Sequence, residues 1–172
     1  MVTVRGIVMR LNLREIIEIP GGRLPFECEL DTDNLDYPSI TEYKTKPLAV
    51  GEVYNQAGIL RLVGTITAEL LCTCDRCGTE FESVKETDIN AVIVEENPED
   101  DPTLFTLEGD EIDLSDILET CFILDMETKF LCQEDCKGLC SSCGKNLNLG
   151  PCECRKPIDP RFAVLEQLLD KF

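Results

Sequence analysis

The cysteines of this 172-residue chain are concentrated near its C-terminal end, where six of the eleven lie within residues 132–154. They are Cys132, Cys136, Cys140, Cys143, Cys152 and Cys154. Thiolates at short spacings are the ligands that Zn²⁺ takes in tetrahedral structural sites. Packing alone does not need six thiols so close together. We therefore predict a structural zinc ion, with iron as the alternative metal, in a loop that serves as a recognition surface rather than a reaction centre.

The strongest local motif is Cys140-Ser-Ser-Cys143-Gly144. Two cysteines three apart can turn both sulfurs toward one metal, and the glycine permits the tight turn that lets backbone N–H groups donate to those sulfurs. A second pair must complete the tetrahedron. Any two of the other four clustered cysteines can supply it, and two ions with shared ligands are an alternative. The spacing does not choose among these arrangements.

A second knuckle sequence, Cys74-Asp-Arg-Cys77-Gly78, lies in the middle of the chain. It could face Cys140 and Cys143 across one zinc ion, act as a redox pair, or form a turn without metal. A thioredoxin-like redox pair lies between a strand and a helix, whereas strands are expected on both sides of this motif. The isolated Cys28 and Cys121 fall on apolar faces and are expected in the core.

The composition excludes several function classes. The chain has no histidine, so it has neither a Ser-His-Asp triad nor a Cys-His pair. No glycine-rich phosphate loop is present, and we predict a protein that is not an enzyme and has no small-molecule substrate. No apolar segment is long enough to cross a bilayer, and the N-terminal segment lacks a signal-peptide pattern. These features predict a cytoplasmic location without a membrane partner.

The net charge of −18 is unevenly distributed. Residues 25–131 carry 26 acidic and six basic side chains, whereas residues 1–24 carry four arginines and two glutamates. The acidic middle either keeps the protein soluble or contacts a basic protein. The basic side chains near the two ends are candidate contacts to RNA or a partner: Arg5, Arg10, Arg14, Arg23, Lys137, Lys145, Arg155, Lys156 and Arg161.

The clearest secondary-structure signal is an alternation from Leu60 to Cys72, where every second residue is apolar or small. This pattern predicts a long antiparallel strand with one buried face and one solvent-exposed face. A turn over 55–58 precedes it, and strands over 23–30 and 81–94 flank it. Short turns between these strands favour a meander over parallel crossovers. The fold class is therefore α+β, with an antiparallel meander sheet or open barrel, a few packed helices and a cysteine-rich zinc-binding loop.

The helices are predicted from caps and apolar stripes. Asp113 caps a helix over 113–124, Asn12 caps a short helix over 12–18, and Asp159 with Pro160 opens a C-terminal helix. Residues 31–46 and the acidic segment 95–102 are expected to be loops. The predicted organisation is a sheet-based domain over 1–131 and, packed on it, a zinc-binding loop with the C-terminal helix over 132–172.

In order along the chain, these motifs resemble the YceD family, the large ribosomal RNA subunit accumulation proteins. The resemblance covers about residues 20–172 and is carried by LLCTCDRCGTEF, the helix start at Glu111–Leu114, LCQEDCKGLCSSCGKNLN, the Cys-x-Cys pair and Asp159–Leu165. The residues that match the family signature are Cys74, Arg76, Cys77, Asp159, Pro160 and Arg161.

The resemblance implies a non-enzymatic role in the synthesis or accumulation of 23S rRNA during large-subunit biogenesis. The implied partners are the pre-ribosomal large subunit or 23S rRNA, and a small basic large-subunit ribosomal protein. Two alternatives stay open: an acidic chaperone or binding partner of such a ribosomal protein without RNA contact, and a thiol redox or metal-handling protein. Metal binding is argued from the thiols of this chain and is not taken from the family.

Overall fold

Among the described residues, a seven-stranded open sheet forms the body of the protein. The structure, a computed structural model, describes residues 2–3, 9–97, 99, 101 and 103–154. The sheet has the order β1-β3-β5-β6-β7-β8, with β4 also paired to β6. Its strands are β1 (Val2–Thr3), β3 (Arg23–Glu29), β4 (Ile40–Tyr43), β5 (Leu48–Gln56), β6 (Ile59–Thr73), β7 (Glu80–Val94) and β8 (Leu104–Thr106). A separate pair joins β2 (Arg10–Asn12) to β9 (Glu111–Asp113).

The predicted meander is confirmed for β5, β6 and β7, which pair antiparallel in sequence order. Ala57 and Gly58 close the first hairpin with φ of 54° and 93°, and positive φ at both central residues suits the twist of a two-residue hairpin. The apolar positions of β6 lie inside as the alternation predicted: Leu60, Leu62, Ile66, Ala68, Leu70 and Cys72 are all at most 5% exposed.

Strand pairing at the margins of the sheet differs from the prediction. Residues 40–43, expected to be loop, form β4 and pair with Leu70–Cys72. β6 has 15 residues and β5 has nine, so the far end of β6 extends past β5 and leaves room for another strand. β1 and β8 pair parallel to β3 and β7. These strands have two and three residues, which is too short for a periodic pattern to reveal them.

The helix α2 (Leu114–Leu124) confirms the predicted amphipathic segment. The Asp113 carboxylate accepts hydrogen bonds from the N–H groups of Ser115 and Asp116, as an N-cap should. The helix buries Leu114, Ile117, Leu118 and Phe122 in the same apolar core as the inner face of the sheet.

The predicted helix over 12–18 is shorter than expected. Helix α1 spans only Arg14–Ile17, because Asn12 belongs to β2 and pairs with Glu111. The Asn12 side chain still accepts from the N–H of Arg14, at 3.1 Å. The predicted C-terminal helix lies outside the described residues. In the part of the chain that is described, none of the helices has the length and apolar character needed to cross a membrane.

Candidate metal centres

Eight cysteines gather into two clusters of four, each with its sulfurs within 4.8 Å of one another. The inner cluster consists of Cys74, Cys77, Cys132 and Cys136, and the outer cluster of Cys140, Cys143, Cys152 and Cys154. The interpretation in which Cys74 and Cys77 face Cys140 and Cys143 is therefore wrong. Instead, Cys152 and Cys154 complete the group around Cys140 and Cys143, and no sulfur is shared between the clusters.

The sulfur spacing of the inner cluster fits a tetrahedral metal ion. The Sγ atoms of Cys74 and Cys136 are 3.7 Å apart, as are those of Cys77 and Cys132. A tetrahedron with Zn–S bonds of ~2.3 Å has edges of about 3.8 Å. In the outer cluster the Sγ atoms of Cys140 and Cys152 are 3.3 Å apart. Both clusters therefore offer four thiol ligands to one ion each, and the donor set alone does not distinguish zinc from iron.

The first half of each cluster is a turn that the local sequence specifies. In the β6–β7 reversal, the N–H of Gly78 donates to the carbonyl of Cys74 at 2.8 Å, and Gly78 has φ of 67°. The same geometry recurs at Gly144, whose N–H donates to the carbonyl of Cys140 at 2.9 Å and whose φ is 72°. A positive φ at this position favours glycine, so the two Cys-x-x-Cys-Gly motifs fold into matching knuckles.

Hydrogen bonds from the backbone and side chains of Asp75 and Arg76 bring the second half of the inner cluster to the sheet. Asp75 and Phe130 exchange hydrogen bonds: the N–H of Asp75 donates to the Phe130 carbonyl, and the N–H of Phe130 donates to the Asp75 carboxylate at 2.7 Å. The Arg76 guanidinium donates to the carbonyl of Cys136 at 2.9 Å, and the Arg76 carbonyl accepts from the N–H of Leu139. The knuckle at the end of β6 is thus the anchor for residues 130–139.

Asp75 is a positioning residue that the sequence analysis missed. Its carboxylate also accepts from the Ser39 hydroxyl at 2.6 Å. These bonds from Ser39 and Phe130 hold the pKa of the Asp75 carboxyl below its usual range. Its position between the two cysteines of the knuckle was the available signal, but the chain's 34 acidic residues made one aspartate uninformative.

Replacing Asp75 with alanine is expected to weaken metal binding at the inner cluster. Outer-shell partners that orient ligands are typically worth about 10- to 100-fold in metal affinity, so we expect a loss of ~10-fold or more. Competition with a colorimetric chelator measures it. Asp75→Asn keeps a carbonyl acceptor and should retain part of the affinity, and Glu80→Ala, at an exposed position beyond the knuckle, should retain all of it. An unchanged chelator titration for Asp75→Ala would show that these hydrogen bonds do not position the ligands.

The side chain of Asn148, which lies between Cys143 and Cys152 in the sequence, contacts the inner cluster. Its amide nitrogen donates to the Cys136 sulfur at 3.2 Å, and its carbonyl oxygen accepts from the N–H of Lys137 at 2.7 Å. Asn148 lies in a short 3₁₀ helix, Leu147–Leu149, capped by the Asn146 side chain. Asn146 also donates to the Thr79 hydroxyl at 3.1 Å. Residues 130–154, here called the cysteine module, are therefore fastened to the β6–β7 end chiefly by polar contacts.

Burial differs sharply between the clusters. Cys74, Cys77 and Cys136 are 2%, 6% and 3% exposed, whereas Cys143 and Cys154 in the outer cluster are exposed. Among the described residues of the cysteine module, the large apolar side chains of Leu139 and Leu149 are 48% and 85% exposed. The module therefore has almost no apolar core beyond Phe130 and the inner cluster.

Backbone N–H groups lower the pKa of cysteines in both clusters. Burial alone would raise the pKa of the Cys74 thiol, but backbone N–H groups of Cys132, Arg76 and Cys77 lower it to about 6. Backbone N–H groups of Cys143 and Ser142 likewise lower the pKa of Cys140 to about 6. Thiolates are the species that bind metals. The hydroxyl and the backbone N–H of Thr79 also lower the pKa of Cys77. Each cluster therefore holds at least one readily formed thiolate.

Cys132 and Cys154, one thiol in each cluster, show the opposite behaviour. Burial and then the neighbouring sulfurs raise the pKa of Cys132 to about 12, and the neighbouring Cys143 thiol and burial raise that of Cys154 to about 12. Like charges at short range act together with burial, because a second thiolate beside the first is unfavourable without a cation. Outside the clusters, burial raises the pKa of Cys28 to about 12. Cys28 is 3% exposed and packs in the main core, as does the half-buried Cys121.

The structure pairs the described N-terminal arginines with carboxylates. Arg10 lies 2.9 Å from Glu108, Arg14 lies 4.0 Å from Asp110, and Arg23 pairs with Glu52. Lys145 donates to the carbonyl of Pro151 at 2.9 Å. The other candidate contacts at the ends of the chain, Arg5, Arg155, Lys156 and Arg161, lie outside the described residues, as do Asp159 and Pro160 of the signature.

Comparison with known proteins connects this architecture to one family. A family model described as "Large ribosomal RNA subunit accumulation protein YceD" matches residues 62–169, which span both clusters. The chain is 26% identical to a protein of Arabidopsis thaliana named "Large ribosomal RNA subunit accumulation protein YCED homolog 1, chloroplastic", over 81% of this chain and 52% of that protein.

Two further relatives show similar identity. The Zea mays protein of the same name is 26% identical over 65% of this chain and 50% of its own length. An uncharacterized protein of Mycobacterium leprae is 27% identical over 63% of this chain and 52% of its own length. The chain thus spans about half the length of the relatives it matches. No solved structure matches it significantly.

Proposed function

The chain belongs to the YceD family, and on this premise we propose that it is a non-enzymatic factor in large ribosomal subunit biogenesis that promotes the synthesis or accumulation of 23S rRNA. The match over residues 62–169 carries the proposal. The family description names an accumulation factor and no reaction, in agreement with a chain that contains no histidine. The proposal includes a cytoplasmic site of action, where bacterial ribosomes are assembled.

We propose further that each cluster holds one structural Zn²⁺. The sulfur spacing of 3.7 Å in the inner cluster supports this, and so does the small apolar content of the cysteine module, which needs another source of folding free energy. Bound zinc would neutralise the thiolates and fix the module as a rigid surface beside the sheet. The division into a sheet-based part, 1–131, and a zinc-binding part, 132–172, belongs to the same proposal.

A specific observation favours the alternative of a protein partner over direct RNA contact. Residues 132–154 carry two lysines and three acidic side chains. A zinc ion with four thiolates adds a formal charge of about −2 at each cluster. The described part of the module is therefore anionic, and the described N-terminal arginines, Arg10, Arg14 and Arg23, are already paired with carboxylates. Phosphate backbones are repelled by such a surface, whereas a basic large-subunit ribosomal protein is attracted to it.

Depletion and affinity capture test the proposed function. If the protein acts in large-subunit biogenesis, its depletion should lower the ratio of 23S to 16S rRNA. The full chain should also capture large-subunit precursors or ribosomal proteins from lysate at low salt. An unchanged ratio together with capture of neither would refute the proposal.

Removing the basic N-terminal charges distinguishes the two kinds of partner. Replacing Arg5, Arg10, Arg14 and Arg23 with glutamine should leave a protein partner bound but weaken binding to pre-ribosomal particles if these arginines contact RNA. The stability cost should be small, since each exposed ion pair contributes about 0–1 kcal/mol.

A further inference from the structure

The outer edge of β7 is a long, unpaired strand edge within the described part of the chain. β8 pairs only with Val92–Val94 of β7. The carbonyl of Val94 accepts from the N–H of Leu107 at 3.0 Å, so its backbone groups point to the β8 side. Backbone groups alternate in direction along a strand. Those of every second residue back to Glu82 therefore point to the same side.

A second contact agrees with this direction. Glu69 of β6 lies opposite Val84, and the carbonyl of Glu69 accepts from the N–H of Lys44 on the β4 side, at 2.9 Å. In an antiparallel pair, two opposite residues either both direct their backbone N–H and carbonyl groups toward the neighbouring strand or both direct them away from it. Val84 therefore also directs its N–H and carbonyl away from β6. Among the described residues, no strand pairs with this edge between Glu82 and Asn90, a length of about 26 Å.

The side chains beside this edge are acidic and exposed. Glu82, Glu86 and Asp88 lie on the outer face of the sheet, with Val84 between them at 63% exposed. Glu82 pairs with Lys44, but Glu86 and Asp88 form no ion pair with any described residue. On the inner side, Asp125 and Glu127 contact Lys85 at 2.9 and 3.5 Å. The potential along the edge is thus negative on both faces.

We propose that the Glu82–Asn90 edge of β7 is a docking site for an extended, lysine- or arginine-rich segment of a protein partner, which adds a strand to the sheet. Unpaired backbone groups would supply hydrogen bonds, and the alternating carboxylates would select basic side chains. A second copy of the chain is disfavoured as the occupant, because pairing two β7 edges places like charges opposite each other. The same charges protect a free edge from self-association. The inference rests on the proposed function in the version in which the partner is a protein. It adds where that partner binds and which side chains its bound segment carries.

The direct test uses a nine-residue peptide of alternating lysine and valine with blocked ends, titrated into the full chain at low salt. We expect binding that slows hydrogen exchange at the amides of Glu82, Val84, Glu86 and Asp88. A glutamate–valine peptide of the same length should not bind. Slow exchange of these amides in the free protein would overturn the proposal, because it would show that another segment already covers the edge.

Two variants separate strand addition from general electrostatic attraction. Val84→Pro removes a donor that faces the edge but takes no part in the β6 ladder, and Glu86→Lys/Asp88→Lys reverses the edge charge. Each should weaken peptide binding by about tenfold or more, equivalent to ~1.4 kcal/mol. The matched control Glu27→Lys/Glu29→Lys makes the same change at the same spacing on β3. It should shift affinity by less than about twofold, because the altered charges lie far from the edge.

The docking site would be overturned if the edge variant and the β3 control lost peptide affinity equally. It would also be overturned if Val84→Pro, with native circular dichroism, bound the peptide as tightly as the unaltered protein. The proposed function has its own readout. A normal ratio of 23S to 16S rRNA in cells carrying Glu86→Lys/Asp88→Lys would contradict the edge as the site that matters for the function. An unchanged ratio on complete depletion would instead refute the function itself.

Discussion

Replacing Cys136 with serine is expected to reduce the metal content from two ions to one per chain and to release the cysteine module from the sheet. Cys136 is 3% exposed and belongs to the inner cluster, which joins residues 74–77 to residues 132–136. Loss of a direct ligand should weaken the site by more than ~100-fold, beyond the effect of outer-shell changes. Because metal binding supplies folding free energy to a segment without a core, hydrogen exchange should accelerate across residues 132–149.

The sheet should survive this change. Its core consists of β3, β5, β6, β7 and α2, and the inner cluster forms a separate small group of buried residues. Far-UV circular dichroism and elemental analysis, combined with exchange mass spectrometry, measure the outcome. Cys121→Ser is the matched control, since Cys121 is half-buried outside both clusters, and it should keep both ions. Two ions per chain in Cys136→Ser, or global unfolding, would contradict the expected result.

Replacing Cys143 with serine should also remove one ion, but its structural effect should stay within residues 140–154. All four ligands of the outer cluster lie in that segment, and the hydrogen bonds from Asp75 and Arg76 to residues 130–139 do not involve it. Exchange should therefore accelerate around the outer cluster. The inner cluster should keep its metal and the protection given by the Asp75 and Arg76 contacts, even if the Asn148–Cys136 hydrogen bond is lost.

A chelator should remove the ion of the outer cluster from the unaltered protein before the ion of the inner cluster. Cys143 and Cys154 are exposed, whereas three of the four inner sulfurs are buried, so a chelator reaches the outer ion first. Stepwise titration with metal quantification should show two phases, and Cys143→Ser should lack the faster one. Release of both ions in a single phase, or loss of the slower phase in Cys143→Ser, would show that the clusters are not independent.

The parts of the fold that sequence patterns predicted are those with a strong local signal. The alternation of β6 and the apolar stripe with the Asp113 cap of α2 each specify a secondary structure and the face it buries. The short strands β1, β4 and β8 have no such signal. They form because longer neighbours leave unpaired edges, as β6 does beyond the end of β5.

The cysteine clusters divide in the same way. The two Cys-x-x-Cys-Gly knuckles were predictable, because the turn depends on the conformational freedom of Gly78 and Gly144 within a few residues. The partners of the Cys74/Cys77 knuckle were not. Cys74 meets Cys136 across 62 residues and Cys77 meets Cys132 across 55, and spacing along the chain carries no information about an encounter at that distance.

The sequence by itself determined the types of chemistry available to this protein: thiolate ligands in short motifs, no histidine, an acidic middle and a sheet with one wet face. The tertiary structure decided how these elements combine. It assigned eight cysteines to two clusters, paired the described N-terminal arginines with carboxylates, and left the acidic edge of β7 without a strand partner among the described residues. The physical reason is the range of the interactions along the chain. Turns, caps and periodicity depend on a few neighbouring residues, whereas cluster membership and edge exposure depend on which distant strands meet.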